Sequence, residues 1–250
     1  MTLGYGDSST SVLPLPTPRP SAQLEADLDT LPLTVGGTLG PLGLTRGKGW
    51  HLVLNDVERR SFLSYKPSTF PENLLNKWYY QCVNELPWLR PWVRGSLLNR
   101  KACWLTTGDA HRPYVYGGMK WPSFNMPEWF MIITHIVCDE CGVTLEHLPN
   151  SCNANYYESG DDAVGWHADN EPLFQADKRD AMIISLSLGA TRTFSYRLGN
   201  TGRVENLPLR DGDICTMEGL MQKYYHHAVP HQHAKTLGRI NLTWRWIVPQ

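Results

Sequence analysis

Residues 239–246, Arg-Ile-Asn-Leu-Thr-Trp-Arg-Trp, alternate without a break between polar and large apolar side chains. Neighbouring side chains on a strand point to opposite faces. Arg239, Asn241, Thr243 and Arg245 therefore share one face, and Ile240, Leu242, Trp244 and Trp246 take the other. The apolar face belongs in packing, so the arginines must look elsewhere. If they look into an enclosed space, two guanidinium groups are partly desolvated, which is costly for each ion unless anions pair with them. Internal carboxylates such as Asp213 or Glu218 answer that demand, and so does plain exposure on an outer face. A bound dicarboxylate answers it too, because Arg grips carboxylates through two parallel charge-assisted bonds.

The same alternation recurs through the C-terminal half. From Cys152 onward the pattern is one of short strands separated by turns, clearest at Ala181 to Leu188, Arg192 to Arg197, Ile214 to Met217 and Arg239 to Val248. Asp211-Gly212 predicts a hairpin turn. Strands at this spacing predict a mainly β (α+β) chain built as an antiparallel sandwich or jelly roll. Two helices precede it. Thr69-Phe70-Pro71-Glu72 reads as a capping box, followed by a stripe of Leu74, Leu75, Trp78, Tyr79 and Cys82 that Pro87 stops. The second starts near Pro127, turns Phe130, Ile133 and Val137 inward and ends at Gly142. These helices are expected to buttress one sheet. Shorter strands are expected near Trp50 to Leu54, Ala102 to Trp104 and Tyr114 to Tyr116, and no internal repeat is visible.

With 250 residues, 42% apolar side chains and ten tryptophans, the chain can bury one sizeable core. One folded domain is expected over 49–250. The preceding residues 1–48 are rich in Ser, Pro, Gly and Leu, and the run Pro14 to Pro20 is expected to be extended and mobile. A formal charge of −1 excludes a global field that draws the chain to polyanions. A local patch must do so instead. Arg90, Arg94, Arg100 and Lys101, with Trp88, Trp92 and Trp104 interleaved, are a candidate phosphate grip, or equally a solvated basic face. The six cysteines lack a secretory signal ahead of them, which predicts reduced thiols in a protein of the nucleus or cytoplasm. Cys138 and Cys141, without a second such pair, read as ordinary thiols rather than a zinc site. No apolar run reaches the ~18 residues of a spanning helix, so no membrane contact is expected, and the chain is read as a monomer.

His167 and Asp169 stand two apart, so on a strand they face one way and can close on one ion. A second histidine about sixty positions on, within Tyr224-Tyr225-His226-His227-Ala228-Val229-Pro230, completes two imidazoles and one carboxylate. That set leaves positions open on a non-haem Fe(II), where oxygen and an organic co-substrate bind. Asn155 and Tyr157 likewise share a face, offering an amide and a phenol.

Taken together, Asn155-Tyr156-Tyr157, His167-Ala168-Asp169-Asn170-Glu171, His227-Ala228-Val229-Pro230 and the run Arg239 to Arg245 resemble the AlkB family of Fe(II)- and 2-oxoglutarate-dependent dioxygenases over roughly residues 100–248. Met217-Glu218-Gly219 and Ser185 to Gly189 are similar to its repair-type members. The resemblance implies a double-stranded β-helix with His167, Asp169 and His227 as the catalytic Fe(II) ligands. The position before Ala-Val-Pro selects His227 over His226, and leaves His231 and His233 as loop residues. Arg239 and Tyr157 would hold the distal carboxylate of 2-oxoglutarate, and Arg245, Asn155 and Asn241 its other end and the strand around it. Tyr114, with Tyr116 and Trp104, falls in the segment of the nucleotide-recognition lid. Glu171 would see the exocyclic group of the base at the mouth, while Asn170 departs from the second acidic residue of many repair members. Trp166 is expected to face away from the metal, into the core. The implied activity is oxidative dealkylation of N-alkylated bases such as N1-methyladenine and N3-methylcytosine in DNA or RNA, using O2 and releasing formaldehyde, succinate and CO2. Such a base must be single-stranded or flipped out to be reached. The alternatives are a 2-oxoglutarate-dependent hydroxylase of protein or a small molecule, and a non-catalytic binder of modified nucleic acid.

Overall fold

The computed structural model describes residues 49–93, 95–110, 113–116, 119–234 and 237–248. The proline-rich stretch 1–48 and Arg94 of the basic cluster lie outside the described residues. In chain order the strands and helices are β1 (His51–Asp56), β2 (Ser61–Lys66), α1 (Glu72–Glu85), β3 (Trp92–Val93), β4 (Ser96–Leu97), β5 (Lys101–Thr106), β6 (Tyr114–Tyr116), β7 (Met119–Trp121), β8 (Ser123–Asn125), α2 (Glu128–Glu140), β9 (Ser151–Tyr157), β10 (Val164–His167), β11 (Ala181–Gly189), β12 (Arg192–Leu198), β13 (Glu205–Leu209), β14 (Ile214–Gly219), α3 (Met221–Tyr224), β15 (Tyr225–Val229) and β16 (Arg239–Arg245).

Two sheets carry the fold. The larger has eight strands in the order β1-β2-β14-β11-β16-β9-β5-β8, and the smaller has four in the order β10-β15-β12-β13. From β9 to β16 the chain passes between them in the manner of a jelly roll, so β9, β11, β14 and β16 meet in one sheet and β10, β12, β13 and β15 in the other. The pairings of these strands are antiparallel. The Asp211-Gly212 turn departs from its expected role. It joins β13 to β14, which lie in different sheets, so it passes the chain from one layer to the other rather than closing a hairpin. Gly212 holds φ at +78° there, a backbone conformation that a Cβ disfavours.

Outer and inner faces of the large sheet separate by side-chain parity. Ile240, Leu242 and Trp244 of β16 are fully buried against α1 and α2, together with Ile184, Leu186 and Leu188 of β11. Leu75, Trp78 and Cys82 of α1 and Phe130, Ile133 and Val137 of α2 supply the facing surface. Each fully buried leucine or isoleucine here contributes about 1.5–3 kcal/mol. The Trp244 indole lies 5.9 Å from the Phe130 ring and donates to Thr134 Oγ1 at 2.9 Å. Helix α1 starts without the expected capping box: Pro71 is its N-cap, no side chain caps it, and the Ser68 hydroxyl instead accepts from the Phe70 amide.

Between the sheets, the half bounded by β2, β14, β12 and β13 is filled by apolar side chains such as Leu63, Ile183, Tyr196, Leu207, Leu209 and Met217. The half bounded by β9, β16, β10 and β15 is lined largely by polar ones and forms a partly enclosed cavity.

Candidate active site

Strand β10 is short and irregular. It meets β15 at Val164↔Val229 and at His167↔His227, with a bulge between. The bulge sets His167 directly opposite His227, with ring centroids 4.3 Å apart. Phe194 of β12 stacks on the His227 ring at 5.3 Å. The strand ends at His167, so Asp169 reaches the same place from the following loop rather than along the strand. Its Oδ1 lies 3.7 Å from His167 Nε2 and its Oδ2 3.8 Å from His227 Nε2. One donor atom from each residue falls within 4.8 Å of the others.

Three hydrogen bonds fix this group. His167 Nδ1 donates to the Gly165 carbonyl at 2.8 Å, which leaves Nε2 as the lone-pair nitrogen. The Asp169 amide donates to Gln222 Oε1 at 2.9 Å, and Arg245 donates to Asp169 Oδ2 at 2.5 Å. Gln222 sits on α3, in a turn that depends on Gly219. That glycine has φ +70°, and a Cβ there would meet the Arg60 carbonyl oxygen at 1.9 Å. Burial alone would raise the Asp169 carboxyl, yet the Arg245 guanidinium and the two imidazoles outweigh it and hold it at about 2. Burial pushes the His227 imidazole down to about 3, helped by His167, and lowers His167 as well. Two neutral imidazoles beside one carboxylate form the donor set that a divalent transition metal requires.

The other end of the β9–β16 wall carries a different demand. Strands β9 and β16 face each other in rows, Tyr157↔Arg239, Asn155↔Asn241, Asn153↔Thr243 and Ser151↔Arg245. Both arginines of the alternating strand point inward, Arg239 at 1% exposure and Arg245 at 4%. Asp213 accepts from Tyr65 and the Ser68 amide, and Glu218 accepts from Thr216. Arg239 donates to Ser187 Oγ at 2.8 Å and lies 5.5 Å from the Tyr157 ring. Its Nε and Nη1 are buried with no hydrogen-bond partner among the described residues. Burial pushes its guanidinium below the ordinary value. A buried cation with two idle donors is the fitting receptor for a carboxylate.

Several expectations need correction. Trp104 is 1% exposed, packs on Phe174 and belongs to the core, so it offers no stacking face. Glu171 is half-buried in the turn after Asp169 and does not line the cavity, because the strand parity that aimed it there ends at His167. Trp166 does face away from the His167, Asp169 and His227 group but is 37% exposed, with the Arg197 guanidinium 4.1 Å over its ring, and is not core. The basic cluster disperses: Arg90 pairs with Asp162 and Glu158, Lys101 pairs with Glu158, and Arg100 turns inward. Tyr114 and Tyr116 lie on β6, in a separate two-stranded hairpin with β7. His226 points out of the small sheet opposite Arg197, and His233 pairs with Asp161 at the surface. Cys138 and Cys141 are fully buried free thiols.

Four residues of this site were not placed in it by sequence reasoning, which gave Arg100 to the basic cluster and did not single out the others. Arg100 is buried, lines the cavity and donates to Asn155 Oδ1 at 2.6 Å. Gln222 and Phe194 brace the ligand group, and nothing local in the sequence marks either. Asn153 lines the cavity, and its parity with Asn155 and Tyr157 was the available signal.

Known proteins carry the same pattern. The family model described as the 2OG-Fe(II) oxygenase superfamily matches residues 62–245. The alpha-ketoglutarate-dependent dioxygenase alkB homolog 3 of Homo sapiens is 31% identical over 68% of this chain and 60% of its own length. The protein of the same name from Rattus norvegicus is 38% identical over 58% of this chain and 50% of its own. The DNA oxidative demethylase ALKBH2 of Arabidopsis thaliana is 27% identical over 65% and 59% respectively. The alignments thus span about half to three fifths of these relatives. With the inward-facing arginines and the two-imidazole, one-carboxylate group already placed, the chain belongs to the 2OG-Fe(II) oxygenase superfamily and, within it, to the AlkB family.

Proposed function

We propose that this chain is an Fe(II)- and 2-oxoglutarate-dependent dioxygenase that removes alkyl groups oxidatively from nucleobases in DNA or RNA, releasing formaldehyde, succinate and CO2. The observation that carries the reading is one inner wall with a metal-competent group, His167, Asp169 and His227, lining a cavity at one end and a buried arginine with idle donors, Arg239, in the row of the lining residue Tyr157 at the other. A five-carbon dicarboxylate suits both ends at once.

In this reading His167, Asp169 and His227 hold Fe(II) through Nε2, the carboxylate and Nε2. Arg239, aided by Tyr157, takes the distal carboxylate of 2-oxoglutarate. Arg245 keeps Asp169 ionised and aimed, and Asn155 and Asn241 shape the wall between the two ends. The bound iron supplies activation of O2 coupled to decarboxylation of 2-oxoglutarate. The chain's own part is to fix the ligand geometry, exclude water and admit one alkylated base. The superfamily accounts for Fe(II), 2-oxoglutarate and O2, and the nucleic-acid substrate is suggested by relatives named for demethylation of DNA. Tyr114 and Tyr116 stay candidates for stacking on the base from the β6–β7 hairpin. No described helix is long and apolar enough to cross a membrane.

Incubation with single- and double-stranded DNA and RNA oligonucleotides carrying N1-methyladenine or N3-methylcytosine, followed by mass spectrometry, tests this directly. Net loss of one CH2 from the oligonucleotide, as N–CH3 becomes N–H, with matching formaldehyde and succinate, is expected. Succinate release stimulated by a protein or small molecule, with every oligonucleotide unchanged, would instead select the hydroxylase reading.

A further inference from the structure

We propose that Asn153 is a specificity-determining contact that reads the edge of an alkylated adenine, an inference that rests on the nucleobase-dealkylation reading above. Its place follows from the rows between β9 and β16. Arg239, paired with the lining residue Tyr157, marks one end of this wall, and Arg245, bonded to Asp169, marks the level of His167, Asp169 and His227. The row between Arg245 and the middle of the cavity is Asn153 and Thr243. A dicarboxylate anchored on Arg239 and ending at the ligand group passes the Asn155–Asn241 row first. Asn153 therefore stands at the metal end of the wall, where the reacting part of a substrate must arrive.

The neighbouring polar groups are already engaged. Asn155 Oδ1 accepts from Arg100, and the Asn241 amide donates to Ser185 Oγ at 2.7 Å and to the Leu186 carbonyl. Thr243 Oγ1 donates to Asn241 Oδ1 at 3.4 Å, and Asp169 is held by Arg245 and Gln222. The half-buried Asn153 amide faces the cavity and forms no side-chain hydrogen bond among the described residues. It alone of the three asparagines on this wall keeps both its donor and its acceptor for an incoming molecule.

The chemistry of that pair selects a base. An amide presents a donor beside an acceptor, which matches an edge presenting an acceptor beside a donor. Adenine has this edge in N7 and the N6 amino group, whereas cytosine offers only its N4 amino group there. Alkylation at N1 leaves N6 and N7 of adenine in place. Asn153 thus forms two bonds to an N1-alkyladenine and one to an N3-alkylcytosine.

The test compares kcat/KM on single-stranded oligonucleotides carrying N1-methyladenine or N3-methylcytosine, for the wild-type full chain and for Asn153→Leu and Asn153→Ser. The preference for N1-methyladenine is expected to fall about tenfold in both variants, the discrimination of a lost bidentate pair. Because the readout is a ratio of two substrates, it does not depend on how much of a variant folds. An unchanged ratio overturns the proposal. So does a variant whose principal change is a raised KM for 2-oxoglutarate, which would hand the amide to the co-substrate. Wild-type protein that demethylates neither oligonucleotide removes the dealkylation reading itself, and the role of Asn153 with it.

Discussion

Replacing Arg239 with methionine separates the two duties this residue has in the proposed reading. The guanidinium is 1% exposed, one nitrogen is bonded to Ser187, and Nε and Nη1 are idle among the described residues. A charge-assisted hydrogen bond contributes about 1.5–3 kcal/mol. Two of them lost amount to ~3–6 kcal/mol, from which the relief of burying the cation must be subtracted. A net loss of about 3 kcal/mol corresponds to a rise of more than a hundredfold in the 2-oxoglutarate KM. The apo protein should respond oppositely. Methionine fills similar volume without a charge to desolvate, so apo Arg239→Met should be at least as stable as wild type. Ligand binding supplies the second half of the test. With Mn(II) as a redox-silent stand-in and 2-oxoglutarate at 100 times its Kd, wild type should gain about 2.7 kcal/mol of stability, or roughly 5–10 °C in Tm. The variant should show almost none of that shift at the same concentration. Paired thermal-shift curves and succinate kinetics read both quantities. A KM raised less than threefold, or a full ligand-induced shift in the variant, would refute the assignment of Arg239 to the co-substrate.

Other residues give sharper yes-or-no outcomes. His227→Ala should abolish turnover and weaken Co(II) binding by titration, while His226→Ala, on the outer face of β15, should keep most of both; the reverse pattern would reassign the ligand. Gln222→Ala strands the buried Asp169 amide at a cost of about 1–3 kcal/mol and should weaken metal affinity roughly tenfold, whereas Gln222→Glu, which retains an acceptor, should restore most of it. Trp244→Ala removes a fully buried indole and should cost ~3–5 kcal/mol in urea unfolding; a loss under 1 kcal/mol would show that the α2 face does not carry the packing described. Tyr225 donates to Asp56 at 2.8 Å, and this bond, with the Arg59 contacts, outweighs burial to hold the Asp56 carboxyl below its ordinary 3.8. That stabilisation is present above pH 3.8 and lost as pH falls through the lower folded value, so Tyr225→Phe should flatten the acid limb of the stability curve.

The contrast between what the sequence made legible and what it hid follows one physical line. Strand parity is local and rigid, so the inward arginines, the outward Trp244 face and the Asn155–Tyr157 pair could be read wherever the strand continued. It failed where the strand stopped. Glu171 was aimed by a parity that no longer exists beyond His167, and Asp169 reaches the ligand group by a loop that only Arg245 and Gln222 hold in place. Contacts between distant segments were invisible for a different reason. Arg90, Arg100 and Lys101 look alike in a row of twelve residues, yet two of them meet acidic partners on the segment after β9 and the third turns into the cavity. Trp166 and Trp104 show the same limit, since the rings differ only in which side of their sheet another element covers. The wall of the cavity is therefore the product of pairing β9 with β16, and no property of either strand alone. That pairing places Asn153 beside Thr243 toward His167, Asp169 and His227 and Tyr157 beside Arg239 at the other end. A one-residue slip in this register would turn Ala154 and Leu242 inward and remove both ends of the site together. The activity proposed here accordingly depends on the same hydrophobic alternation that builds the core, because the residues that fix the register are those packed against α1 and α2.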